Sequence, residues 1–314
     1  MVDKRNMGAM FGGKSSGGFL GVAEGPLDKS VDIAILGVPA ATPYASVGPY
    51  CATAAQQVRS AQVWPGISKH HDFDLGEKVI PDNVTVVDLG DLDYSEVDFV
   101  SNRQNITNAV EEILSIKAVP VVIGGDDSVP IPVFQAFKDY GPVTVIQFDA
   151  HIDWRDNVDG ERYGLSSNMR RASEMPWVKH MVQIGARGIG SAKPLDFQDA
   201  IDWGVRFFPM REYRKSSFEK VLAAIPNSLP VIINFDIDVM DPTVVPGVIG
   251  PAPGGFDYYG AVEIIEKIAL NHEIAGFNLL EFMPDNDIQN RSALVASRII
   301  TTVLNLVSKQ KGKR

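Results

Sequence analysis

Short, nearly continuous apolar runs recur along the chain at 31–38, 84–88, 119–123, 143–148, 181–184, 205–208, 231–235 and 274–280. Runs of this length, rich in Val and Ile and lacking polar alternation, match strands buried on both faces. Helical periodicity fills many of the gaps, at 102–117, 131–138, 217–224 and 258–271. In the last of these, Val262, Ile264, Ile265, Ile268 and Ala269 form one stripe. Strands alternating with amphipathic helices predict a parallel sheet covered by helices on both faces. A final helix is expected from Arg291 to Val307, followed by a frayed basic tail over 309–314. Residues 1–30, rich in Gly, Ser and Lys, read as an arm that is mobile or lies across a neighbouring subunit. With no linker inside 31–308, one domain is expected there.

Two of the apolar runs stop at clusters of ligand-type side chains. Residues 145–155 read Val-Ile-Gln-Phe-Asp-Ala-His-Ile-Asp-Trp-Arg. Alternation puts Asp149, His151 and Asp153 on one face of an extended segment. Residues 231–242 read Val-Ile-Ile-Asn-Phe-Asp-Ile-Asp-Val-Met-Asp-Pro, so Asp236 and Asp238 also share a face before Pro242 ends regular structure. Acids at the end of a buried strand are costly unless a cation neutralises them. The bland alternative is a solvated strand end with scattered acids. Two strands delivering carboxylates at their C-terminal ends point instead to two divalent metals sharing bridging ligands. Such a pair can hold a hydroxide as a nucleophile near neutral pH.

Charge and composition narrow the partners. The net charge of −10 argues against nucleic acid and fits cationic or neutral small molecules. Cys51 is the only cysteine, so no intrachain disulfide can form and a reducing cytoplasm is expected. No stretch approaches the roughly 20 apolar residues of a membrane span, and the N-terminus lacks a signal-peptide core. The Gly-Lys-Ser at 13–15 is not a phosphate loop, because no strand precedes it and the glycine spacing is wrong.

A third strand end reads Val121-Val122-Ile123-Gly124-Gly125-Asp126-Asp127-Ser128. Gly-Gly-Asp-x-Ser, Asp-Ala-His-x-Asp, Phe-Asp-x-Asp-x-x-Asp-Pro and Glu281-Phe282-Met283-Pro284-Asp285-Asn286-Asp287, in this order, resemble the ureohydrolases: arginases, agmatinases and related guanidino hydrolases. Pro246-Gly247 and the loop to Gly255 resemble the agmatinase branch. The resemblance runs from about residue 31 onward and implies an α/β fold, three-layer α/β/α, around an eight-stranded mostly parallel sheet, assembled as a trimer or hexamer. It implies hydrolysis of a guanidino group to urea and an amine by a hydroxide bridging two ions, Mn²⁺ or Ni²⁺. Carried over by position, Asp149 and Asp236 would bridge the metals and His151 and Asp238 would complete one. Asp153 and the position of Asp127 would serve the other. Asp149 and Glu281 would be catalytic, with Glu281 holding the guanidinium by paired charge-assisted hydrogen bonds. Loops 39–50, 157–169 and 244–255 would select the rest of the substrate, with Asn157 and Ser166 as contacts. Asp156, Asp159 and Glu161 are candidates to meet a second amine.

Two departures from the family pattern stand out. Asp127 replaces a metal-binding His, and Leu165 stands where many relatives carry a proton-transferring His. Five carboxylates and one imidazole leave about one extra negative charge on two divalent ions, which raises the pKa of bound water. Tyr163 or Ser166 could fill part of the proton-transferring role, though a hydroxyl is a poorer proton shuttle near pH 7. Of the other histidines, His70-His71 could reach the site from a loop but are expected at the surface, His180 precedes a strand and His272 ends a helix. Two readings follow: an active hydrolase of a guanidine, biguanide or agmatine-like compound, or a catalytically impaired subunit that stabilises or regulates a homologue in a hetero-oligomer, as in metformin-type hydrolases. The charge argument predicts that Asp127→His raises metal retention and lowers the pH at which activity appears. Metal content after gel filtration and a pH–rate profile check this; if neither changed, the argument would be wrong.

Overall fold

Each of the eight apolar runs becomes a strand. In the computed structural model, which describes residues 18–40, 42, 44, 46–62, 66–216 and 218–312, they are β2 (Ile33–Gly37), β5 (Val86–Asp91), β6 (Val119–Ile123), β7 (Val143–Phe148), β8 (Val178–Ile184), β9 (Arg206–Phe208), β10 (Val231–Asp236) and β11 (Ile274–Leu280). A ninth, β1 (Ala23–Glu24), lies against β5. The sheet order is β1-β5-β2-β6-β11-β10-β7-β8-β9, and every pairing is parallel. A separate antiparallel hairpin joins β3 (His71–Asp72) to β4 (Glu77–Lys78).

Parallel strands need crossovers, and these put helices on both faces. Odd and even strand positions therefore enter two different cores. Ile33, Ile35, Ile146, Phe148, Ile233 and Phe235 pack with α1 (Ala54–Ala61), α8 (Tyr258–Asn271) and α9 (Arg291–Lys311). Ala34, Leu36, Val122, Val145 and Ile232 pack with α2 (Phe99–Ser115), α3 (Pro130–Ala136), α4 (Asn168–Ser173) and α5 (Pro194–Trp203). Two short helices, α6 (Met210–Tyr213) and α7 (Phe218–Ala223), follow β9. The three-layer expectation holds, with nine strands where eight were expected. Caps set the helix starts: Asp98 accepts from Ser101 N at 3.0 Å and Asp257 from Gly260 N at 2.7 Å.

Both chain ends correct the sequence expectation. Residues 18–24 are not a loose arm, because Phe19 and Leu20 are buried in the first core and Ala23–Glu24 extends the sheet. Residues 1–17 lie outside the described residues. The basic tail is not frayed at its start. The last helix runs to Lys311, Lys309 pairs with Glu77 at 2.6 Å, and Lys311 Nζ donates to Lys117 O at 2.6 Å.

Asp88, buried on β5, fastens the N-terminal segment. It accepts a fork from Arg59 (Nε 2.8 Å, Nη2 2.9 Å) and the backbone N–H of Phe19 at 2.7 Å. A Cβ on Gly18 would come within 2.4 Å of the Asp88 Cβ, so the chain can pass here only as glycine. Asp88→Ala leaves a half-buried guanidinium and a buried N–H short of partners. Arg59 keeps Asp91 as a second acceptor, so the expected cost is at the low end for a broken buried pair, about 3 kcal/mol. Denaturant unfolding measures it; a loss under about 1 kcal/mol would show that the fork is not what anchors this segment.

Candidate metal centre and active site

The four central strands β6, β11, β10 and β7 are neighbours, and each ends in an acid that the sequence singled out. Their carboxyl ends bring Asp127, Glu281, Asp236, Asp238, Asp149, His151 and Asp153 to one edge of the sheet. Ligand atoms of Asp149, His151, Asp236 and Asp238 all lie within 4.8 Å of one another, and so do those of Asp127, Asp149 and Asp153. Asp149 belongs to both groups, as a bridging ligand would.

The turns that present these groups are locally constrained. Asp236 Oδ1 accepts from Asp238 N at 2.7 Å, Asp149 Oδ1 from His151 N at 2.6 Å, and Asp238 Oδ1 from Ala150 N at 3.0 Å, tying the β7 and β10 ends together. Asp153 and Glu281 sit at φ +46° and +63°. That left-handed backbone costs a non-glycine residue roughly 1–2 kcal/mol, and surrounding contacts hold it in place. Gly125 has φ +78°, and a Cβ there would meet Val129 Cγ2 at 2.4 Å and Val38 O at 2.8 Å. Only glycine lets the Asp126-Asp127 turn close.

Glu281 faces this cluster from β11. Its Oε1 accepts Asp127 N at 2.7 Å and the Tyr50 hydroxyl at 3.0 Å, and its Oε2 accepts the same hydroxyl at 2.7 Å. The final acid of its motif does other work: Asp287 accepts Ser292 N at 2.8 Å and Ala293 N at 3.1 Å and so caps α9.

Comparison with known proteins decides the family. The model for the arginase family matches residues 31–305. This chain belongs to the arginase family. Its relatives include the mitochondrial agmatinase of Gallus gallus, 30% identical over 288 residues that span 88% of this chain and 81% of that protein. The guanidinopropionase of Pseudomonas aeruginosa is 29% identical over 74% of each chain. Among solved structures, proclavaminate amidino hydrolase from Streptomyces clavuligerus superimposes with a TM-score of 0.83 at 25% identity, covering 94% of this chain and 97% of that one. The protein is an arginase-family ureohydrolase, an enzyme that hydrolyses C–N bonds of guanidino compounds.

Other expected residues of this ureohydrolase fall outside the cluster. Asn157 is exposed, and its Oδ1 closes its own turn on Gly160 N at 3.3 Å. Ser166 is buried, with its carbonyl accepting Arg155 N at 3.0 Å. Asp156 is taken by Arg171 at 2.7 Å, and Glu161 accepts Tyr163 N at 2.6 Å. Leu165 N donates to Thr42 Oγ1 at 2.8 Å, so this position serves the loop through its backbone. His70, His71 and His180 are exposed, and His272 is buried at the end of α8.

Further contributors were missed from sequence. Tyr50 belonged to a loop read only as a whole. Arg187 donates through Nη2 to the carbonyls of Asp238 (2.7 Å), Met240 (3.0 Å) and Ala252 (2.8 Å). It thereby binds the ligand turn to the loop carrying Gly250, where a Cβ would come within 3.1 Å of His151 Cε1. Its signal was an arginine two residues past the glycine that ends β8. Lastly, Gln183, Gln147, Asn234 and Asn278 are mutual register partners across β8, β7, β10 and β11, a row of buried amides just below the acids. In β7 and β10 the visible sign was a polar residue two positions before the strand-end acid, Gln147 before Asp149 and Asn234 before Asp236.

Crowding dominates the electrostatics. Burial first, then Asp153 and Asp149, push Asp127 well above the ordinary carboxylate range. Burial with Asp153 and Asp238 does the same to Asp149, and burial with Asp238 and Asp149 to Asp236. Burial and Asp126 raise Glu281 to about 8 against the pull of Tyr50 and Asp127 N–H. Burial pulls His151 down, but its bonds to Asp149 and Asp238 outweigh this and raise it to about 12. The donor set, oxygens with one imidazole, and the buried, unpartnered Asp127 Oδ1 fit hard or borderline divalent cations.

Stability should follow. Between 4.5 and about 8 the folded chain keeps a proton on Glu281 that the unfolded chain has released. Its contribution to stability is therefore full at low pH and lost as pH rises through that window, and His151 adds the same trend above its ordinary 6.5. Metal-stripped protein is expected to lose denaturant resistance steadily from about pH 5 to 8, and divalent cation to flatten the slope. A stripped protein whose midpoint rose over this range would contradict the electrostatic picture.

Proposed function

We propose that this chain is a two-metal hydrolase that releases urea from a small guanidino compound. The convergence of six ligand-type side chains from three strand ends beside the buried Glu281 carries this reading. Asp149 and Asp236 would be shared by two ions, Mn²⁺ or Ni²⁺. His151 and Asp238 would complete one seat, and Asp153 and Asp127 the other. Bound there, the ions would supply a water that ionises far more readily than bulk water, at a pH raised by the extra carboxylate, and the positive charge that the acids lack. Glu281 receives the substrate guanidinium on its free lone pairs, while Asp127 N–H and the Tyr50 hydroxyl fix its carboxylate plane. Ser166 and Asn157 lie on the loop that would meet the remainder of the substrate.

The relatives are named for agmatine and guanidinopropionate, which carry a charged tail. Here Asp156 and Glu161 are already engaged, so that loop offers a distal amine little beyond Asp159. This favours a guanidine or biguanide type of substrate over agmatine. One observation supports the second reading, an impaired subunit completed by a homologue in a mixed trimer or hexamer. Among the described residues, no histidine other than His151 joins the ligand groups.

Isolated protein loaded with Mn²⁺ or Ni²⁺ is expected to release urea from guanidine or biguanides faster than from agmatine, and Asp236→Ala to abolish that release. Unchanged turnover in Asp236→Ala would sink the proposed site. No urea from the wild type, with activity restored by a co-purified homologue, would select the subunit reading.

A further inference from the structure

Three carboxylates of the cluster each have one oxygen fastened to a neutral carboxamide. Asn168 Nδ2 donates to Asp127 Oδ2 at 2.6 Å, to Asp153 Oδ2 at 3.2 Å and to the Asp127 carbonyl at 3.0 Å. Gln147 Nε2 donates to Asp149 Oδ2 at 2.5 Å and to Asp153 Oδ2 at 2.9 Å. Gln183 Nε2 donates in turn to Gln147 Oε1 and to Ile152 O at 2.9 Å. That contact turns the amino side of Gln147 toward the acids. All three amides are buried, as is the unpartnered Oδ1 of Asp127.

The choice of amide matters. An arginine or lysine in either place would orient the acids equally well, but its charge would neutralise them and compete with a cation. A carboxamide fixes the oxygens and adds no positive charge of its own. We propose that Gln147 and Asn168 are positioning residues that set Asp127, Asp149 and Asp153 as an all-oxygen seat for a hard divalent cation. The neighbouring seat, which contains His151, differs in chemistry. This rests on the two-metal reading above. Oxygen donors alone suit Mn²⁺ and Mg²⁺, whereas an imidazole adds preference for Ni²⁺. The two seats of one chain are thus unequal: Asn168 holds ligands of the first alone, whereas Gln147 holds Asp153 of the first and the shared Asp149.

The test is binding of Mn²⁺ alone and Ni²⁺ alone to metal-stripped full-length protein, by equilibrium dialysis with elemental analysis. Gln147→Met and Asn168→Leu remove the amide donors while keeping volume close, and His151→Asn marks the other seat. Wild type is expected to bind two Mn²⁺ in separable steps. Asn168→Leu should weaken one step by about 10- to 100-fold, the usual effect of losing an outer partner of a ligand, and leave the step sensitive to His151→Asn unchanged. Gln147→Met, which also frees the shared Asp149, should weaken that same step most and the His151 step less. The Ni²⁺-to-Mn²⁺ affinity ratio should be larger at the His151 step. If Asn168→Leu does not fold, the unequal effect of Gln147→Met on the two steps carries the test. Equal weakening of both steps, weakening of neither, or a higher Ni²⁺ preference at the amide-sensitive step would overturn the positioning role while leaving a two-metal site. A wild type that binds no ion would overturn both.

Discussion

Mutual repulsion among buried carboxylates is the constraint around which the molecule is arranged. Asp127, Asp149, Asp153, Asp236, Asp238 and Glu281 lie at the ends of four adjacent strands, where little water can screen them. No soluble fold gathers such a group by chance, because desolvation and like charge both oppose it. Most of the contacts that hold the acids in place come from neutral donors. Backbone N–H groups, amides and the Tyr50 hydroxyl donate to them. Two groups that can carry positive charge take part as well: His151, inside the cluster, and Arg187, which binds the carbonyls behind it.

The parallel sheet makes this possible. All its strands point the same way, so their carboxyl ends share one edge and distant segments deliver acids to a common point. The left-handed backbone at Asp153 and Glu281 is the cost of turning those acids inward from a strand that has just ended. The two hydrophobic cores on either face are large enough to absorb it.

How much of this was legible depended on whether the information was local. A strand shows itself through its own apolar run, so all eight were visible. An acid interrupting such a run stands out, so Asp149, His151, Asp153, Asp236 and Asp238 could be named, and motif resemblance added Asp127 and Glu281. Tyr50, Arg187 and Asn168 act through partners 231, 51 and 41 residues away, and nothing in their own neighbourhoods marked those partners. Gln147 is the intermediate case: a polar residue in a buried strand is a local oddity, but its meaning came only from the register that sets it beside Gln183 and Asn234. The N-terminal segment was misread for a related reason. Its glycine-rich composition suggests looseness, and only the fork at Asp88 shows that the chain from Gly18 onward is held.

The two margins of the sheet carry a different consequence. One ends in the two-residue strand Ala23–Glu24 and the other in Arg206–Phe208, three residues long with an exposed arginine at its start. Such stubs offer a passing chain too few free backbone groups, and too much charge, to be copied as a template. A sheet this long and this rich in valine and isoleucine would otherwise invite fibre-like stacking. Among the described residues both margins are too short to serve as long templates, which works against self-association by strand addition.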